Sequence, residues 1–432
     1  MTFISTVRIH VLFFISVLLT GSFLWGQSTD SFDVDSLYGY LHQALKVNPQ
    51  LQAVNARYEA AMSKIPQASS LPNPMFQVTH FVDRVQTKNG PQDNVLMLSQ
   101  KIPWFGTLGK RKSVSSAKAE ALWYASEAAQ LQLVTQVSTE YYKLAYLDKA
   151  LELANENLEL LNALEPVIEE KVRSGASVNG LLKLHVELET LRDKIQGIQE
   201  QQFSVQERLR ALLALDSGDN LQVLGMNADA ISIPDGHSLS VSLEENNPKI
   251  LSLKSQVHAG EVMQDLAELT YYPDLTVGLN YVQIGENSTN PSADESGKDA
   301  WGITVGFSIP LWRDKNASVV AQAKYDKLAT EKEFESSLYE LKAKLSNTLS
   351  SLRDAERRKV LYSEKLIPLA RQAEENSRSG YTNGKNSFLD VIDSERSLLA
   401  LQLNYWNAVS DAHVAYVILL TLVNQPIETF KN

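Results

Sequence analysis

Apolar positions change their spacing twice within the first half of the chain. Residues 34–68 carry apolar side chains at the three- and four-residue spacing of an amphipathic helix. Residues 75–82 and 95–102 then alternate, which predicts two strands joined by a polar, turn-rich loop. Helical spacing returns from 110 to 174, without a glycine and with a single proline. At 1.5 Å per residue this stretch predicts a helix on the order of 100 Å long, and 179–214 predicts a returning helix.

The second half of the chain repeats this order. It predicts a helix over 239–269, strands over 275–284 and 301–309, a long helix over 319–378 and a last helix over 387–423. Short motifs recur with the pattern: Asn48-Pro49 as Asn247-Pro248, and Arg173-Ser174-Gly175 as Arg378-Ser379-Gly380. The period is about 200 residues. The sequence therefore predicts a mainly α protein made of two structural repeats.

The flanking segments complete the predicted organisation. Arg8 precedes an apolar run over 11–24 that has the length of a signal-peptide core; the alternative is an N-terminal membrane anchor. We predict a signal peptide at 1–26, a first repeat at 27–214, a connector at 215–238, a second repeat at 239–424 and a C-terminal tail at 425–432. No later window approaches 18 consecutive apolar residues, so a membrane-embedded form of the mature chain would use strands.

The predicted strands of the second half have two chemically different faces. Leu275, Val277, Leu279 and Tyr281 alternate with Thr276, Gly278 and Asn280. Large apolar residues on one face and small polar residues on the other are typical of membrane barrel strands. Trp104, Trp301 and Trp312 lie near strand ends, where interfacial aromatics are expected. The first-half strands are weaker, because His80 shares a face with Phe76 and Val78. The alternative is a half-buried hairpin of a soluble protein.

Composition narrows the possible chemistry. The net charge of −11 disfavours a nucleic-acid partner. The chain has no cysteine, and its seven histidines are scattered along the sequence without a metal-ligand spacing. No phosphate-binding loop or nucleophile motif is present. We therefore expect no catalytic residues, no metal site and no cofactor, and we do not expect an enzyme.

A turn motif follows the second long helix. Gly384 can supply the backbone freedom of a tight turn, and Ser387 can cap the next helix. Asp390 and Asp393 are three residues apart, so they share one face of that helix. Around a shared axis these acids would form a ring that attracts cations. The alternative is an ordinary helix N-terminus, where acids are favoured by the helix dipole.

This turn motif, together with two helix–hairpin–long helix–returning helix units, resembles the TolC-type outer-membrane efflux proteins over about residues 35–424. The resemblance implies a homotrimer whose chains share a 12-strand β-barrel in outer-membrane lipid. It also implies an α-helical tunnel in the periplasm, a periplasmic adaptor and an inner-membrane pump. Four strands cannot close a barrel alone, so the pattern itself requires partner chains.

The resemblance extends to particular residues at the tunnel entrance. Tyr381 matches the family's gate tyrosine, whereas Asn386 replaces the family's gate arginine. In the first half, Gly175 and Gly180 match the turn, and Gly180 stands where an acid would be expected. We therefore expect Tyr381, Asp390 and Asp393 at the entrance, and a first-half tip that serves structure and adaptor contacts.

The sequence leaves function and cargo partly open. Leu71-Pro72-Asn73-Pro74 and residues 102–110 resemble the heavy-metal branch more than the drug-export branch. We therefore expect a passive exit duct for metal ions or other small molecules. The alternatives are a periplasmic adaptor, which would carry one hairpin between β-rich halves, and a secreted coiled-coil structural protein, which would not need two-faced strands.

Overall fold

The computed structural model describes residues 36–216, 221–292 and 294–426. The predicted signal peptide at 1–26 lies outside these residues. The first half contains α1 (Leu37–Val47), α2 (Pro49–Ser69), β1 (Met75–Thr87), β2 (Gly90–Ile102), α3 (Thr107–Arg173) and α4 (Asn179–Leu213). The second half contains α5 (Gly236–Asn246), α6 (Pro248–Glu268), β3 (Leu275–Ile284), β4 (Ala300–Phe307), α7 (Arg313–Leu361), α8 (Ile367–Thr382) and α9 (Phe388–Leu422). Both halves therefore have the same order of elements, with α7 and α8 together in the place of α3.

The helices predicted over 34–68 and 239–269 are each divided in two, because Asn-Pro begins a new helix. The side chains of Asn48 and Asn247 accept hydrogen bonds from first-turn N–H groups, and proline follows at the position where a missing N–H costs nothing. Both amides also donate to the end of the returning helix of their own half, Asn48 to the Leu212 carbonyl at 2.9 Å and Asn247 to the Leu422 carbonyl at 2.8 Å.

The long helix predicted over 319–378 begins earlier and is interrupted. It starts at Arg313, and a π-helical turn over Tyr362–Leu366 separates α7 from α8. Pro368 lies at the start of α8 and has no N–H to donate. The wider turn accommodates the proline by shifting the hydrogen-bond register. Pro166, in contrast, lies inside the continuous 67-residue helix α3.

The four strands form one antiparallel sheet in the order β1-β2-β3-β4. The first hairpin is longer than predicted, because β1 and β2 extend to a two-residue turn at Lys88-Asn89. Gly90 follows this turn at φ +134°, and a Cβ there would lie 1.8 Å from the Gly285 carbonyl oxygen. The turn lies within the polar, turn-rich loop that the sequence predicts between the two strands. Strand β4 is shorter than predicted and ends at Phe307.

The helices pack along apolar seams. In α3 the buried residues include Val137, Tyr141, Leu144, Ala154 and Leu161, spaced as in a coiled coil. They contact α4 and α9 in the larger of two apolar clusters. The second cluster joins α7 to α5 and α9 through Leu341, Leu345, Leu349 and Leu352. Within the described residues, none of the helices combines the length and apolarity that a membrane-spanning helix requires.

The extended segment 221–235 is fastened to the helices by buried polar groups. The Tyr40 hydroxyl donates to the Gln222 carbonyl at 2.7 Å, and Lys359 Nζ donates to the Asp229 carbonyl at 2.8 Å. His413 Nε2 lies 2.6 Å from the Asn227 carbonyl, and its ring stacks on Tyr142. This part of the predicted connector therefore runs along the helices and is hydrogen-bonded to them.

Candidate functional site

The two long hairpins turn back at one end of the molecule, which we call the tip: residues 174–178 between α3 and α4, and 383–387 between α8 and α9. Gly175 and Gly384 have φ values of +100° and +72°, a conformation that favours glycine. Both predicted turn glycines therefore fulfil the backbone role expected of them. Gly180 is different, because it lies in the first turn of α4.

The tips of the two halves touch through small and aromatic residues. A Cβ on Gly180 would lie 3.7 Å from the Phe388 ring, an ordinary contact distance, so the starts of α4 and α9 lie side by side. The rings of Phe388 and Tyr381 are 5.5 Å apart. The predicted gate tyrosine is therefore part of the contact between the two tips.

Lys171 at the end of α3 fastens Tyr381 on α8. Its Nζ donates to the Tyr381 backbone carbonyl at 2.9 Å and lies 3.6 Å from the centre of the Tyr381 ring. Burial raises the pKa of the Tyr381 phenol, so the ring stays neutral at physiological pH. A cation over a neutral aromatic face is attracted by the ring quadrupole. This contact joins residues far apart in sequence, and sequence reasoning missed it.

Asn386, at the position of the family arginine, folds back on its own turn. Its backbone N–H donates to the Gly380 carbonyl at 3.1 Å. A Cβ on Gly380 would lie only 2.5 Å from the Asn386 side chain. Asn386 therefore packs against the glycine of the repeated Arg-Ser-Gly motif.

Ser387 and Asp390 form a reciprocal cap at the start of α9. Asp390 Oδ2 accepts from the Ser387 N–H at 2.8 Å and from its hydroxyl at 2.9 Å, and the Asp390 N–H donates to Ser387 Oγ at 3.3 Å. The predicted cap is confirmed. The carboxylate of Asp390 is thus both exposed and used for folding.

Asp393 has a freer carboxylate than Asp390. Its side chain is 72 % exposed, and its nearest basic partner is Arg396, at 3.7 Å. Arg396 is held by a closer ion pair with Glu187 on α4. Asp390 and Asp393 are both exposed on α9, whose opposite face buries Phe388, Val391 and Ile392. The pair therefore presents negative charge to the surroundings of the tip.

The sheet at the other end of the molecule carries a continuous apolar face. Strand pairing aligns side chains in four rows: Phe307, Leu275, Ile102; Val305, Val277, Gln100; Ile303, Leu279, Leu98, Phe76; and Trp301, Tyr281, Leu96, Val78. Gln100 is the polar exception, and its amide donates to the Pro72 carbonyl. Ile303, in the third row, is 79 % exposed. Large exposed apolar patches mark contact with another apolar surface.

A polar row ends this face. His80 Nδ1 lies 2.8 Å from Asn94 Oδ1, and Asn94 Nδ2 donates to Gln283 Oε1 at 2.7 Å. His80 therefore belongs to a cross-strand polar row beyond the apolar band. The opposite face of the sheet carries mostly small or polar residues, including Asn280, Gly302, Gly278 and Thr304.

Aromatic side chains lie at both ends of the apolar face. Trp301 contacts Tyr281 near the loop end. Trp104 stacks on Tyr272 at the helix end, with ring centres 5.2 Å apart. Trp312 is strongly exposed at the same end, just before α7. Trp104 and Trp312 thus lie beyond the helix end of the apolar rows, and Trp301 lies within the fourth row.

Potential metal-ligating side chains do not cluster in the part of the chain that the structure describes. Across the three described segments, no group of three or more His, Asp or Glu side chains is arranged to hold a metal ion. Two features are therefore the candidate functional surfaces: the tip, with its exposed acids, and the apolar face of the sheet.

Long antiparallel helical hairpins joined to a small two-faced sheet are the architecture of outer-membrane channel proteins. The family model described as outer membrane efflux protein (OEP) matches residues 40–215 and 239–425. The chain belongs to this family.

The similar proteins agree with this assignment. Outer membrane protein TolC of Vibrio cholerae is 22 % identical over 92 % of this chain and 91 % of that protein. The cobalt-zinc-cadmium resistance protein CzcC of Cupriavidus metallidurans is 19 % identical, covering 88 % of each chain. Among solved structures, the outer-membrane channel OprN superposes with a TM-score of 0.78 at 17 % identity, covering 90 % of each chain. CusC superposes with a TM-score of 0.77 at 16 % identity, covering 90 % of this chain and 92 % of its own.

We predict that Lys171→Met loosens the contact between the two tips. The substitution removes the ammonium group from the Tyr381 ring and carbonyl, a loss of about 1 kcal/mol. Amide hydrogen exchange of residues 376–388 should therefore become about fivefold faster. Tyr381→Phe is the matched control, since it keeps both the ring and the carbonyl. Equal exchange in Lys171→Met and the unmodified chain would show that the contact does not hold the tip.

Proposed function

We propose that three copies of this chain form a passive exit duct in the outer membrane, through which an inner-membrane pump and a periplasmic adaptor discharge solutes. The single observation that carries this proposal is the sheet. It has an apolar face across four strands, a small-residue face behind it, and aromatic side chains at both ends of the apolar rows. A lipid environment on one side and a lumen on the other accounts for both faces.

The two edge strands of the sheet support a barrel that is shared between chains. Within the described residues, β1 and β4 each pair with one neighbour. Their outer backbone groups would lack hydrogen bonds in hydrocarbon, at a cost of several kcal/mol for each group. Pairing β4 of one copy with β1 of the next satisfies them. Three copies of a four-stranded sheet give the twelve strands expected from the family resemblance.

The helical part supplies the length and the contact surface of the duct. Helix α3 has 67 residues, which corresponds to about 100 Å, enough to carry the tip far from the sheet. Near the tip, Val178, Leu182 and Val186 follow one side of the start of α4 and are exposed in the single chain. We assign this apolar stripe to contact with the adaptor.

For cargo we propose metal ions or other small molecules. The similar proteins include the cobalt-zinc-cadmium resistance protein CzcC and a toxin and drug export protein of Aggregatibacter actinomycetemcomitans. The exposed carboxylates of Asp390 and Asp393 favour cations at the entrance. Family membership leaves the adaptor and coiled-coil alternatives without support.

The direct test combines oligomer mass with conductance. We expect the detergent-purified chain to have the protein mass of three subunits in native mass spectrometry. In planar lipid bilayers it should give small cation-selective currents that trivalent cations block. A monomer that never conducts would contradict the duct and return attention to a non-channel role.

We predict that Asp393→Asn weakens the block by hexamminecobalt(III), because a trimer would lose three carboxylates from one ring. The blocking concentration should rise about tenfold. Ser387→Ala is the control: it removes the cap and costs about 1 kcal/mol of stability, but keeps both charges. Unchanged block in the Asp390→Asn, Asp393→Asn double variant would remove these residues from the entrance.

We also predict that Ile303→Lys prevents assembly in the outer membrane. A lysine on the lipid face near the middle of a barrel costs about 2–4 kcal/mol per chain. Gly302→Lys is the matched control, because residue 302 faces the other side of the sheet and a Cβ there meets no atom within 4 Å. The yield of trimer in purified outer membranes measures the difference. Equal yields would contradict the assignment of the lipid face.

A further inference from the structure

Two acidic side chains are buried together between α8 and α9. Glu374 on α8 is 7 % exposed, and Glu395 on α9 is 3 % exposed. Buried carboxylates require compensation by a partner charge or by protonation. The surroundings of this pair therefore decide its state.

One guanidinium serves both carboxyl groups. Arg378 Nε lies 3.0 Å from Glu374 Oε1, and Arg378 Nη2 lies 3.0 Å from Glu395 Oε1. Both carboxyl groups therefore lie against the same guanidinium. A single positive charge neutralises only one carboxylate, so full ionisation would leave a net negative charge in a buried place.

The neighbouring helices add no second cation. Helix α3 contributes the neutral amide of Asn157, whose Nδ2 donates to Glu395 Oε2 at 3.4 Å. Lys171 of α3 is held at Tyr381, and Glu187 of α4 is paired with Arg396. Among the described residues, Arg378 is the only basic group within ion-pair distance of Glu374 or Glu395.

These surroundings favour a proton on the pair near neutral pH. Burial, followed by the nearby Glu374 carboxyl group, raises the pKa of Glu395 to about 7, while Arg378 acts in the opposite direction. A carboxyl group whose pKa is higher in the packed state binds more protons when packed than when exposed. The packed state is therefore favoured at low pH, and this advantage is lost as pH rises towards 7.

The internal repeat shows that the buried pair is particular to the second half. Arg173 and Glu169 repeat Arg378 and Glu374 at the same four-residue spacing, but their side chains are 72 % and 44 % exposed. In the returning helix α4, the buried residues near the tip are Leu184, Leu188 and Leu191, and no acid is among the buried residues of that helix. The first half therefore forms the same helical hairpin without a buried acid at the equivalent positions.

We infer that Glu374, Arg378 and Glu395 form a proton-binding joint that holds α8 against α9 when one carboxyl group is protonated and releases their packing when both are ionised. The second tip hairpin thus becomes more mobile as pH rises through neutrality. This inference concerns the hairpin itself; only its consequence for the opening of a duct rests on the proposed function.

Hydrogen exchange of the full chain at pH 6 and pH 8 tests the joint. Protection factors for residues 367–400, corrected for intrinsic exchange, should fall about tenfold between the two pH values, given pKa values of about 7 packed and 4.5 exposed. Glu395→Gln should remove this fall, because it removes one of the two carboxyl groups and leaves a single carboxylate for Arg378. Glu169→Gln, the repeat-related control, should behave like the unmodified chain.

Two outcomes would overturn the inference: equal protection at both pH values in the unmodified chain, or an unchanged fall in Glu395→Gln. Glu374→Gln provides a second variant with the same expectation should Glu395→Gln fold poorly. The exchange readout does not require conductance. A chain that shows the pH-dependent exchange but never conducts would keep the joint and contradict the duct.

Discussion

The pairing of β2 with β3 is the constraint on which the rest of the structure depends. It joins the two halves of the chain by an antiparallel register running from Gln92 opposite Ile284 to Ile102 opposite Leu275. A slip by one residue would move every apolar side chain to the other face. Asp274 fixes the helix end of this register, since it pairs with Lys101 at 2.8 Å, accepts from the Trp104 N–H at 3.2 Å and donates its own N–H to Ser308. The helices that flank the four strands are therefore all attached at the same end of the sheet, opposite the hairpin loops.

Sequence reasoning succeeded where the relevant pattern is local. Strands β3 and β4 alternate strictly, and the seams of α3 and α7 recur at helical spacing, so both were predictable without a structure. Strand β1 was predicted over 75–82 only, and its faces were less clear, because the place of His80 depends on its partners Asn94 and Gln283 across two strands. Asn-Pro was noticed as a repeat marker, yet its N-cap chemistry also predicts the breaks that the structure shows at Asn48 and Asn247.

The tip shows the same division between local and distant contacts. The glycine turn at Gly384 and the reciprocal cap of Ser387 and Asp390 follow from residues close in sequence. The contact of Lys171 with Tyr381 joins the ends of α3 and α8, and no local pattern announces it. Asn386, which stands in place of the family's gate arginine, packs on Gly380. The position and charge of the candidate site could thus be predicted from the sequence. The contact of Lys171 with Tyr381, which joins the two tips, could not.

Duplication makes the differences between the halves informative. Both halves keep the hydrogen bond from the Asn-Pro asparagine to the returning helix, which is a requirement of the scaffold. The departures concentrate in the second half: the π-helical turn before Pro368, the buried acids Glu374 and Glu395, and the capped, acidic start of α9. A π-helical turn is frequent at functional sites, and an uncompensated buried charge destabilises the packing around it. Under the proposed function, we infer that the second hairpin, rather than the first, is the part that rearranges.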